Sequence, residues 1–322
     1  MRTTITRFLI AAALATTTTL ATASSWPDTA VRMVVPYPPG GATDFSARAY
    51  AEQLGKILGK PIVVENKAGA AGEIGAQFVA NAAPDGYTVL LGALGSLAIN
   101  SLLPSKKQQY KFPEAFEGVS MATSTPLAVV VRADLPVKNI QELIALAKER
   151  NGELSFGSAG YGSSQHMTGE KFQLATGIKL LHVPYKGSGP ALTDLIGGQV
   201  DMVFDTMPTL MGHVKNEKLR FLAVTTKERA KSLPDVPTLQ EEGVKDFDVS
   251  TRYVLLAPKG TPEAIRTKLY EAMNQAAQEP AVQKAMAGQG ADAVPSAPSD
   301  TYQALSKEVA IWRDVVENAD LK

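Results

Sequence analysis

Short β-rich segments alternate with segments of helical periodicity along most of this 322-residue chain, and this alternation limits the possible folds more than any other feature. Val31–Val35 has the composition of a buried strand, residues 44–58 place apolar side chains on one helical face, and Ile62–Glu65 is again strand-like. Alternation of this kind predicts βα units. We therefore expect an α/β fold whose sheets are mostly parallel and flanked by helices.

A second series of the same kind begins near Leu127–Val131. Asn139 followed by Glu142 resembles a capping box and predicts a helix start. Further strands are predicted at 154–157, 180–184, 201–205 and 220–225. Two series in a chain of this length predict two domains rather than one.

The C-terminal part contains one more predicted strand followed by helices. In the segment RYVLLAPKGTPEAI, Thr261 is the expected N-cap and Pro262 the expected first residue of a helix. The last predicted helix has an apolar residue at about every turn: Tyr302, Leu305, Val309, Trp312 and Val316. We expect the C-terminal helices to return to the first domain.

The N-terminus differs from the rest of the chain. Arg2 and Arg7 precede the apolar run Phe8–Leu14, and a Thr/Ala-rich stretch leads to the small-residue site at Ala23. These features are typical of a secretory signal peptide, so we expect residues 1–23 to be removed and the mature chain to begin around Trp26. The chain has no cysteine, which excludes disulfides and thiolate metal sites. Together these features predict a bacterial periplasmic protein.

Composition also limits the partners. The formal net charge is zero, so nothing steers the molecule as a whole toward nucleic acid or an anionic membrane surface. No segment after the N-terminus reaches about 18 consecutive apolar residues, and we expect no direct membrane insertion.

The segment PYPPGGATD, residues 36–44, lies between a predicted strand and a predicted helix. In open parallel sheets, ligands bind beyond the carboxyl ends of strands, where helix N-termini point. Prolines stiffen this loop, while Gly40 and Gly41 let the backbone approach a ligand closely. Thr43 or Asp44 would cap a helix whose free N–H groups favour an anion, with the Asp44 carboxylate turned onto backbone N–H groups. A tight turn with a cap and no ligand is the alternative.

A similar loop occurs in the second series, in the segment LSFGSAGYGSSQHMTGEKF at 154–172. Glycines again open the backbone, serines add hydroxyl groups, and His166 lies one turn into the helix. Two such loops, one in each domain, predict a cleft in which one anionic ligand contacts both.

No catalytic motif accompanies these loops. The sequence contains neither a G-x-S-x-G elbow nor an H-E-x-x-H motif. His182 is strand-like, and we expect it to be a hydrogen-bonded structural residue. Asp205 follows a predicted strand, where it could accept a bond from a ligand or orient a neighbouring loop. We therefore predict no enzymatic activity, no cofactor and no metal site.

Six segments together resemble one known family: VVPYPPGGATD, VVENKAGAAGEIGA, AAPDGYTVLLG, FGSAGYGSSQHM, HVPYKGSGPALTDLIGGQVDMVFD and LPDVPTLQEEG. They resemble the Bug receptors, the TctC-like periplasmic solute-binding proteins of tripartite tricarboxylate transporters. The resemblance implies a two-lobed Venus-flytrap fold, with 26–124 and 250–322 in lobe 1 and 125–249 in lobe 2. It also implies a monomer that binds a small carboxylate, breaks no bond, and delivers the ligand to membrane transporter subunits.

The resemblance also implies where the ligand binds. The family's ligand loops fall on residues 37–44 and 158–166, and the aspartate of its FD motif falls on Asp205. The end of a strand near Ser96 is a further predicted wall. The resulting candidate ligand-binding residues are Tyr37, Pro38, Gly40, Gly41, Ala42, Thr43, Asp44, Ser96, Ser158, Gly160, Tyr161, Ser163, Ser164, His166, Asp205 and Arg252.

Arg252 departs from the family, which often has an aromatic residue there. A cation beside the cleft would complement an extra ligand carboxylate, or it would pair with a protein acid such as Asp248 or Asp44. We expect a dicarboxylate ligand. If Tyr37 and Tyr161 form flat walls, an aromatic dicarboxylate such as terephthalate would fit. The alternative function is a periplasmic ligand-sensing subunit for a signalling kinase.

Overall fold

A computed structural model describes residues 26–103, 110–319 and 321. The predicted signal peptide lies outside these residues. The described strands are β1 (Val31–Val35), β2 (Ile62–Asn66), β3 (Thr88–Ala93), β4 (Phe116–Arg132), β5 (Ser155–Ser158), β6 (Leu181–Pro184), β7 (Met202–Thr206), β8 (Leu219–Val224), β9 (Ser250–Pro258) and β10 (Asp292–Ala293). The described α-helices are α1 (Ala42–Leu58), α2 (Glu73–Ala80), α3 (Leu94–Leu102), α4 (Ile140–Arg150), α5 (Ser164–Thr176), α6 (Ser188–Ile196), α7 (Met207–Leu210), α8 (Glu263–Gln278), α9 (Pro280–Gly288) and α10 (Pro298–Asn318).

The sheet has two parallel parts joined by antiparallel strands. Its order is β2-β1-β3-β9-β4-β7-β5-β6, with β8 and β10 also paired to β4. The β2-β1-β3 pairs and the β6-β5-β7 pairs are parallel, whereas every pair made by β4 or β9 is antiparallel. The predicted α/β class and βα units are confirmed. The sheet is more mixed than predicted, because β4 and β9 run against their neighbours.

One long strand belongs to both halves of the molecule. The first part of β4, up to Pro126, pairs with β9, and the part from Leu127 pairs with β7 and β8. The chain returns at 249–250, since the N–H of Val249 donates to Thr225 whereas Ser250 pairs with Pro126. The two lobes are therefore connected by adjacent strands, where β4 and the start of β9 pair.

The helices pack as the apolar periodicity predicts. Tyr50 and Leu54 on α1 are fully buried against Val31 and Met33 of β1. Burial of a leucine side chain stabilises the fold by about 1.5–3 kcal/mol. The C-terminal helix α10 packs on α3 and β4, which confirms its predicted return to the first half, and it also touches α5. None of the described helices combines the length and apolar composition that a membrane span requires.

Two local predictions differ from the structure. α8 begins at Glu263 with Pro262 as its N-cap, so the prediction of Thr261 as N-cap was wrong. The Thr261 hydroxyl instead donates to the Pro258 carbonyl at 2.8 Å, because it closes the turn that precedes the helix. The Asn139 cap is confirmed, since its side chain accepts from the Glu142 N–H at 2.8 Å.

Candidate functional site

A cavity of about 970 Å³ lies between the two halves. It is lined by the loops that follow β1, β2, β5, β6 and β7 and by residues of β9 and the start of α3. These loops leave the carboxyl ends of their strands, which is where ligands bind in such sheets. Among the described lining residues there is no Asp or Glu, and Lys186 carries the one fixed positive charge. The cavity is thus suited to a small anion.

The loop before α1 leaves its helix start uncapped. Gly41 is the N-cap and makes no side-chain cap, and no described residue accepts a hydrogen bond from the N–H groups of Ala42 or Thr43. Gly40 has a φ of +83°, the left-handed region that favours glycine. Gly40, Gly41, Ala42 and Thr43 all line the cavity. The first turn of α1 therefore offers free backbone donors and the positive end of a helix dipole to a ligand.

Asp44 lies in this first turn but is turned away from the cavity. Its carboxylate accepts from the Gly40 N–H at 2.9 Å, from Arg48 at 2.9 Å and from the Asn66 amide at 2.9 Å. Burial alone would raise the pKa of Asp44, but the bonds from Arg48, Gly40 and Asn66 outweigh it and lower the pKa. The carboxylate shapes the loop and does not oppose an anion directly.

The start of α5 is capped by a side chain, and two histidine rings pack against the loop before it. The Ser163 hydroxyl accepts from the His166 N–H at 3.2 Å, and His166 Nδ1 accepts from the Gly162 N–H at 3.2 Å. The ring of His166 stacks on His182 with 3.8 Å between centroids. His182 Nε2 lies 2.7 Å from the Ser158 hydroxyl. Burial and the neighbouring His166 lower the pKa of His182 to about 3, so His182 is neutral and, as predicted, structural.

The start of α5 in the second half contacts the start of α3 in the first half, at residues that line the cavity. The N–H of Ser164, the first residue of α5, donates to Ser96 Oγ at 3.2 Å, and the two serine hydroxyls are also 3.2 Å apart. Ser96 lies in the first turn of α3. The structure therefore joins the halves at this point and uses an N–H group that would otherwise be free for a ligand.

Asp205 does not line the cavity itself, but it is hydrogen-bonded to residues of the second half that do. Its Oδ1 accepts from the Thr206 N–H at 2.7 Å, from the Ser188 hydroxyl at 2.9 Å and from the Gln165 amide at 3.3 Å. Burial raises the pKa of Asp205 to about 6. Because Gln165, Ser188 and Thr206 line the cavity and Asp205 does not, the geometry favours the orienting role for this carboxylate.

Arg252 points away from the cavity. Successive side chains of a strand face opposite sides, and on β9 Thr251 and Tyr253 line the cavity. Arg252 pairs with the buried carboxylate of Glu308 on α10, whose other oxygen accepts from Trp312 Nε1 at 2.8 Å. A protein acid is thus the partner, but the predicted candidates Asp248 and Asp44 were wrong, because both bond elsewhere.

Two residues that line the cavity have buried hydroxyl groups without a hydrogen-bond partner among the described residues. The Thr251 hydroxyl is buried and makes no hydrogen bond with a described residue. The Tyr37 hydroxyl is also buried, and although Ser96 and Ala93 lie beside it, no bond of normal geometry forms. Burial raises the pKa of Tyr37 to about 12, so its hydroxyl stays protonated. These groups are available to a ligand.

The sequence model described as "Tripartite tricarboxylate transporter family receptor" matches residues 46–321. The chain belongs to this family. Protein BugT of Bordetella pertussis is 40% identical over 302 residues, which are 93% of this chain and 92% of BugT. MatC from Rhodopseudomonas palustris, with bound malate, is 34% identical with a TM-score of 0.84, covering 90% of this chain and 100% of MatC. An R. palustris protein with adipate is 33% identical with a TM-score of 0.86, covering 91% and 97%.

This membership confirms the resemblance in the sequence, and the chain is a solute-binding receptor of the periplasmic TctC/Bug type. The predicted residues that line the receptor's cavity are Tyr37, Pro38, Gly40, Gly41, Ala42, Thr43, Ser96, Gly160, Ser163 and Ser164. The predicted residues outside the lining are Asp44, Ser158, Tyr161, His166, Asp205 and Arg252. Tyr161 packs against His166, with 5.1 Å between ring centroids, so it does not form the expected flat wall opposite Tyr37.

The receptor's cavity has further lining residues that the sequence interpretation missed. They are chiefly Gln165, Lys186, Ser188, His213, Thr251 and Tyr253. Strand alternation along β9 could have indicated Thr251 and Tyr253. The segments KAGAAG at 67–72 and YKGSGP at 185–190 have the same order of strand, glycine-rich loop and helix as the two predicted loops, and could have indicated two further loops.

Proposed function

We propose that this receptor captures a small dicarboxylate in the cavity and delivers it to the membrane subunits of a tripartite tricarboxylate-type transporter. The observation that carries the proposal is the uncapped start of α1, where the N–H groups of Ala42 and Thr43 have no described partner and the described lining of the cavity has no acidic side chain. A carboxylate there accepts charge-assisted hydrogen bonds from backbone donors, each contributing about 1.5–3 kcal/mol. The second half supplies hydroxyl and amide side chains for the rest of the ligand.

The ligands of relatives support the dicarboxylate class. Malate and adipate, which are bound in two similar proteins, each have two carboxylates on a short aliphatic chain. In this receptor the cavity contains Lys186 and His213 besides the uncapped helix, so a second negative charge meets a favourable field. The position of Tyr161 outside the lining favours an aliphatic dicarboxylate over terephthalate.

A thermal-shift screen of mono-, di- and tricarboxylates tests this function. A dicarboxylate at about 100 times its dissociation constant should add about 2.7 kcal/mol to the free energy of unfolding. Matched monocarboxylates at the same concentration should add much less. Stabilisation by no carboxylate, or equal stabilisation by mono- and dicarboxylates, would contradict the proposal.

We further propose export to the periplasm with cleavage of residues 1–23, and lobe boundaries at the two chain crossings, near 125 and 250. Mass spectrometry of the protein from a periplasmic extract should give a chain that begins around Trp26. A full-length chain in the cytosolic fraction would contradict the export proposal.

A further inference from the structure

We propose that the receptor takes up a proton at Asp205 when it binds its anionic ligand, so that binding strengthens as the surrounding pH falls. This inference rests on the proposed capture of a dicarboxylate and adds a regulatory property to the same site. Asp205 is 2% exposed and does not line the cavity, but its donors Gln165, Ser188 and Thr206 all do. A charge on Asp205 therefore lies one residue behind the cavity wall.

The hydrogen bonds of the Asp205 carboxylate are confined to one of its two oxygens. Oδ1 accepts from the Thr206 N–H at 2.7 Å, from the Ser188 hydroxyl at 2.9 Å and from the Gln165 amide at 3.3 Å. No described residue donates a hydrogen bond to Oδ2. A proton from solvent can therefore bind Oδ2 while every bond to Oδ1 is kept, so protonation does not require this network to rearrange.

No cation compensates the charge of Asp205. The groups that donate to it are all neutral, and among the described residues it forms no ion pair, whereas Asp44 has Arg48. Burial raises the pKa of Asp205 to about 6, because the neutral donors offset the lost hydration only in part. The geometry and the burial together leave a carboxyl group that changes its charge close to neutral pH.

Other titratable groups on the elements packed against β7 have partners of their own. These pairs are His166 with Glu170 on α5, Asp194 with Tyr185 at α6, and Arg132 with Asp201 just before β7. The titratable groups that line the cavity are Tyr37, Tyr185, Lys186, His213 and Tyr253. Histidine commonly changes its charge near neutral pH, so the experiment must separate His213 from Asp205.

The charge of Asp205 reaches the cavity. Burial, and next the nearby charge of Asp205, raise the pKa of Tyr253, which lines the cavity. A ligand carboxylate in the cavity would act on Asp205 in the same way, since like charges in a poorly hydrated site disfavour each other. It would shift Asp205 toward its neutral form. By thermodynamic linkage, the receptor with a protonated Asp205 then binds the ligand more tightly.

The size of the effect follows from the pKa shift that the ligand causes. One pKa unit corresponds to a tenfold difference in affinity between the two protonation states. Asp205 starts from a pKa of about 6, so a shift of about one unit should raise the affinity about fivefold between pH 8 and pH 6. At pH 6.5 the receptor should take up about half a proton for each ligand bound.

Calorimetric titration of the wild-type protein measures this uptake. The probe is the dicarboxylate that stabilises the protein most in the thermal-shift screen, with malate and adipate in the panel. Titrations at pH 6.5 are repeated in buffers of different ionisation enthalpy, because the slope of the binding enthalpy against the buffer enthalpy gives the number of protons taken up. Carboxylic acids with a pKa near 4 are largely ionised at this pH, so the ligand contributes little.

The substitution Asp205→Asn tests the residue, because an amide has the shape of the protonated carboxyl group and no charge. Its oxygen can accept the bonds that Oδ1 accepts now. The variant should bind about fivefold or more tightly than the wild type at pH 8, equally well at pH 6 and pH 8, and without proton uptake. A gain in affinity cannot come from a damaged fold. His213→Gln is the control and should keep the proton uptake, whatever its effect on affinity.

Several results would overturn the inference while leaving carboxylate capture intact. They are binding without proton uptake, uptake that persists in Asp205→Asn, uptake that disappears in His213→Gln, and weaker binding by Asp205→Asn at pH 8. The proton count on the wild type needs no variant, so the proposal is tested even if Asp205→Asn does not fold. If no dicarboxylate binds the wild-type protein at any pH, both this inference and the proposed function fail.

Discussion

The loop before α1 and the loop before α5 share the order of strand, small residues and helix start, but they satisfy their backbone groups differently. α1 begins without a side-chain cap, and the N–H groups of Ala42 and Thr43 have no partner among the described residues. α5 is capped by Ser163, and the N–H of Ser164 is bonded to Ser96. In the proposed site, the first loop therefore offers backbone donors to a ligand, and the second offers side chains.

Asp44 in the first loop and Asp205 beside the second loop also differ, in their hydrogen-bond partners and in the direction of their pKa shifts. Asp44 has a cationic partner, Arg48, and its pKa is lowered. Asp205 has only neutral hydrogen-bond donors, and burial raises its pKa to about 6. The first acid shapes the backbone of its loop, while the second orients side chains that line the cavity. The comparison teaches that the same strand–loop–helix pattern can serve two kinds of recognition, because capping decides which groups remain free.

The largest effect is expected at Arg252, outside both loops. Arg252→Ala leaves the buried Glu308 carboxylate with Trp312 as its remaining partner. The free energy of unfolding should fall by about 3–4 kcal/mol, toward the low end for a buried pair because the Arg252 side chain is 30% exposed. Urea unfolding measures this loss.

The exposed pair of Lys56 and Glu52 supplies a control, since solvent screens it and Lys56→Ala should leave the unfolding midpoint in urea nearly unchanged. Because Arg252 is not among the residues that line the cavity, mono- and dicarboxylates should lose affinity alike, if at all. A selective loss of dicarboxylate affinity would show that the comparison of two loops omits a third binding element.

A smaller effect is expected from pH at the second loop. The folded pKa of Asp205, about 6, lies above its unfolded value of 3.8, so the folded state holds this proton more tightly. The stability of the wild type relative to Asp205→Asn should therefore rise as the pH falls from about 7 to about 4, by about 2–3 kcal/mol. Unfolding free energies measured across this range give the difference.

Asp44→Asn is the matched control at the first loop and should show the opposite sign. Its folded pKa is lowered, so the stability it contributes is present above its unfolded pKa and is lost as the pH falls through the folded value. The advantage of the wild type over Asp44→Asn should shrink below about pH 4. If the stability of the wild type relative to each variant changed in the same direction with pH, the proposed difference between the two acids would be wrong.

The smallest effect on stability is expected within the first loop. Gly40→Ala should cost about 1 kcal/mol, because Gly40 has a φ of +83°. Gly41 has a φ of −83°, and a Cβ there would lie 3.8 Å from the Pro38 carbonyl oxygen, which is ordinary contact. Gly41→Ala should therefore keep the wild-type melting temperature but weaken ligand binding, since Gly41 lines the cavity. A similar loss of stability in both variants would contradict this difference.

The sequence predicted the fold in the parts where local patterns decide it. The periodicity of α1, the Asn139 cap and the short strands β1, β2 and β5 follow from residue spacing alone. The first part of β4 and the helix α3 were missed. Most residues of β4 are buried on both faces, so the strand lacks the polar alternation that marks an exposed strand.

The site was predictable in its position but less so in its contacts. The two loops were identified from glycine, proline and hydroxyl patterns at strand ends. Which side chains face the cavity depends on partners distant in sequence, such as Glu308 for Arg252 and Ser188 for Gln165. These pairings arise from tertiary packing, and no local spacing indicates them.

The central claim is that backbone N–H groups of the first loop, and not those of the second, bind the ligand carboxylate. Ala42 and Ser164 are the first residues of their helices, where proline is tolerated, and Gly41 and Ser163 before them are extended. Ala42→Pro therefore removes one donor without breaking the helix. Ser164→Pro, compared with Ser164→Ala, removes the N–H that is already bonded to Ser96.

Calorimetric titration of these variants with the dicarboxylate that stabilises the wild type most tests the claim directly. Ala42→Pro should lower the affinity by about tenfold or more at an unchanged melting temperature, because one charge-assisted hydrogen bond is lost. Ser164→Pro should bind within about threefold of Ser164→Ala. Equal losses in both loops, or a larger loss at Ser164, would contradict the account.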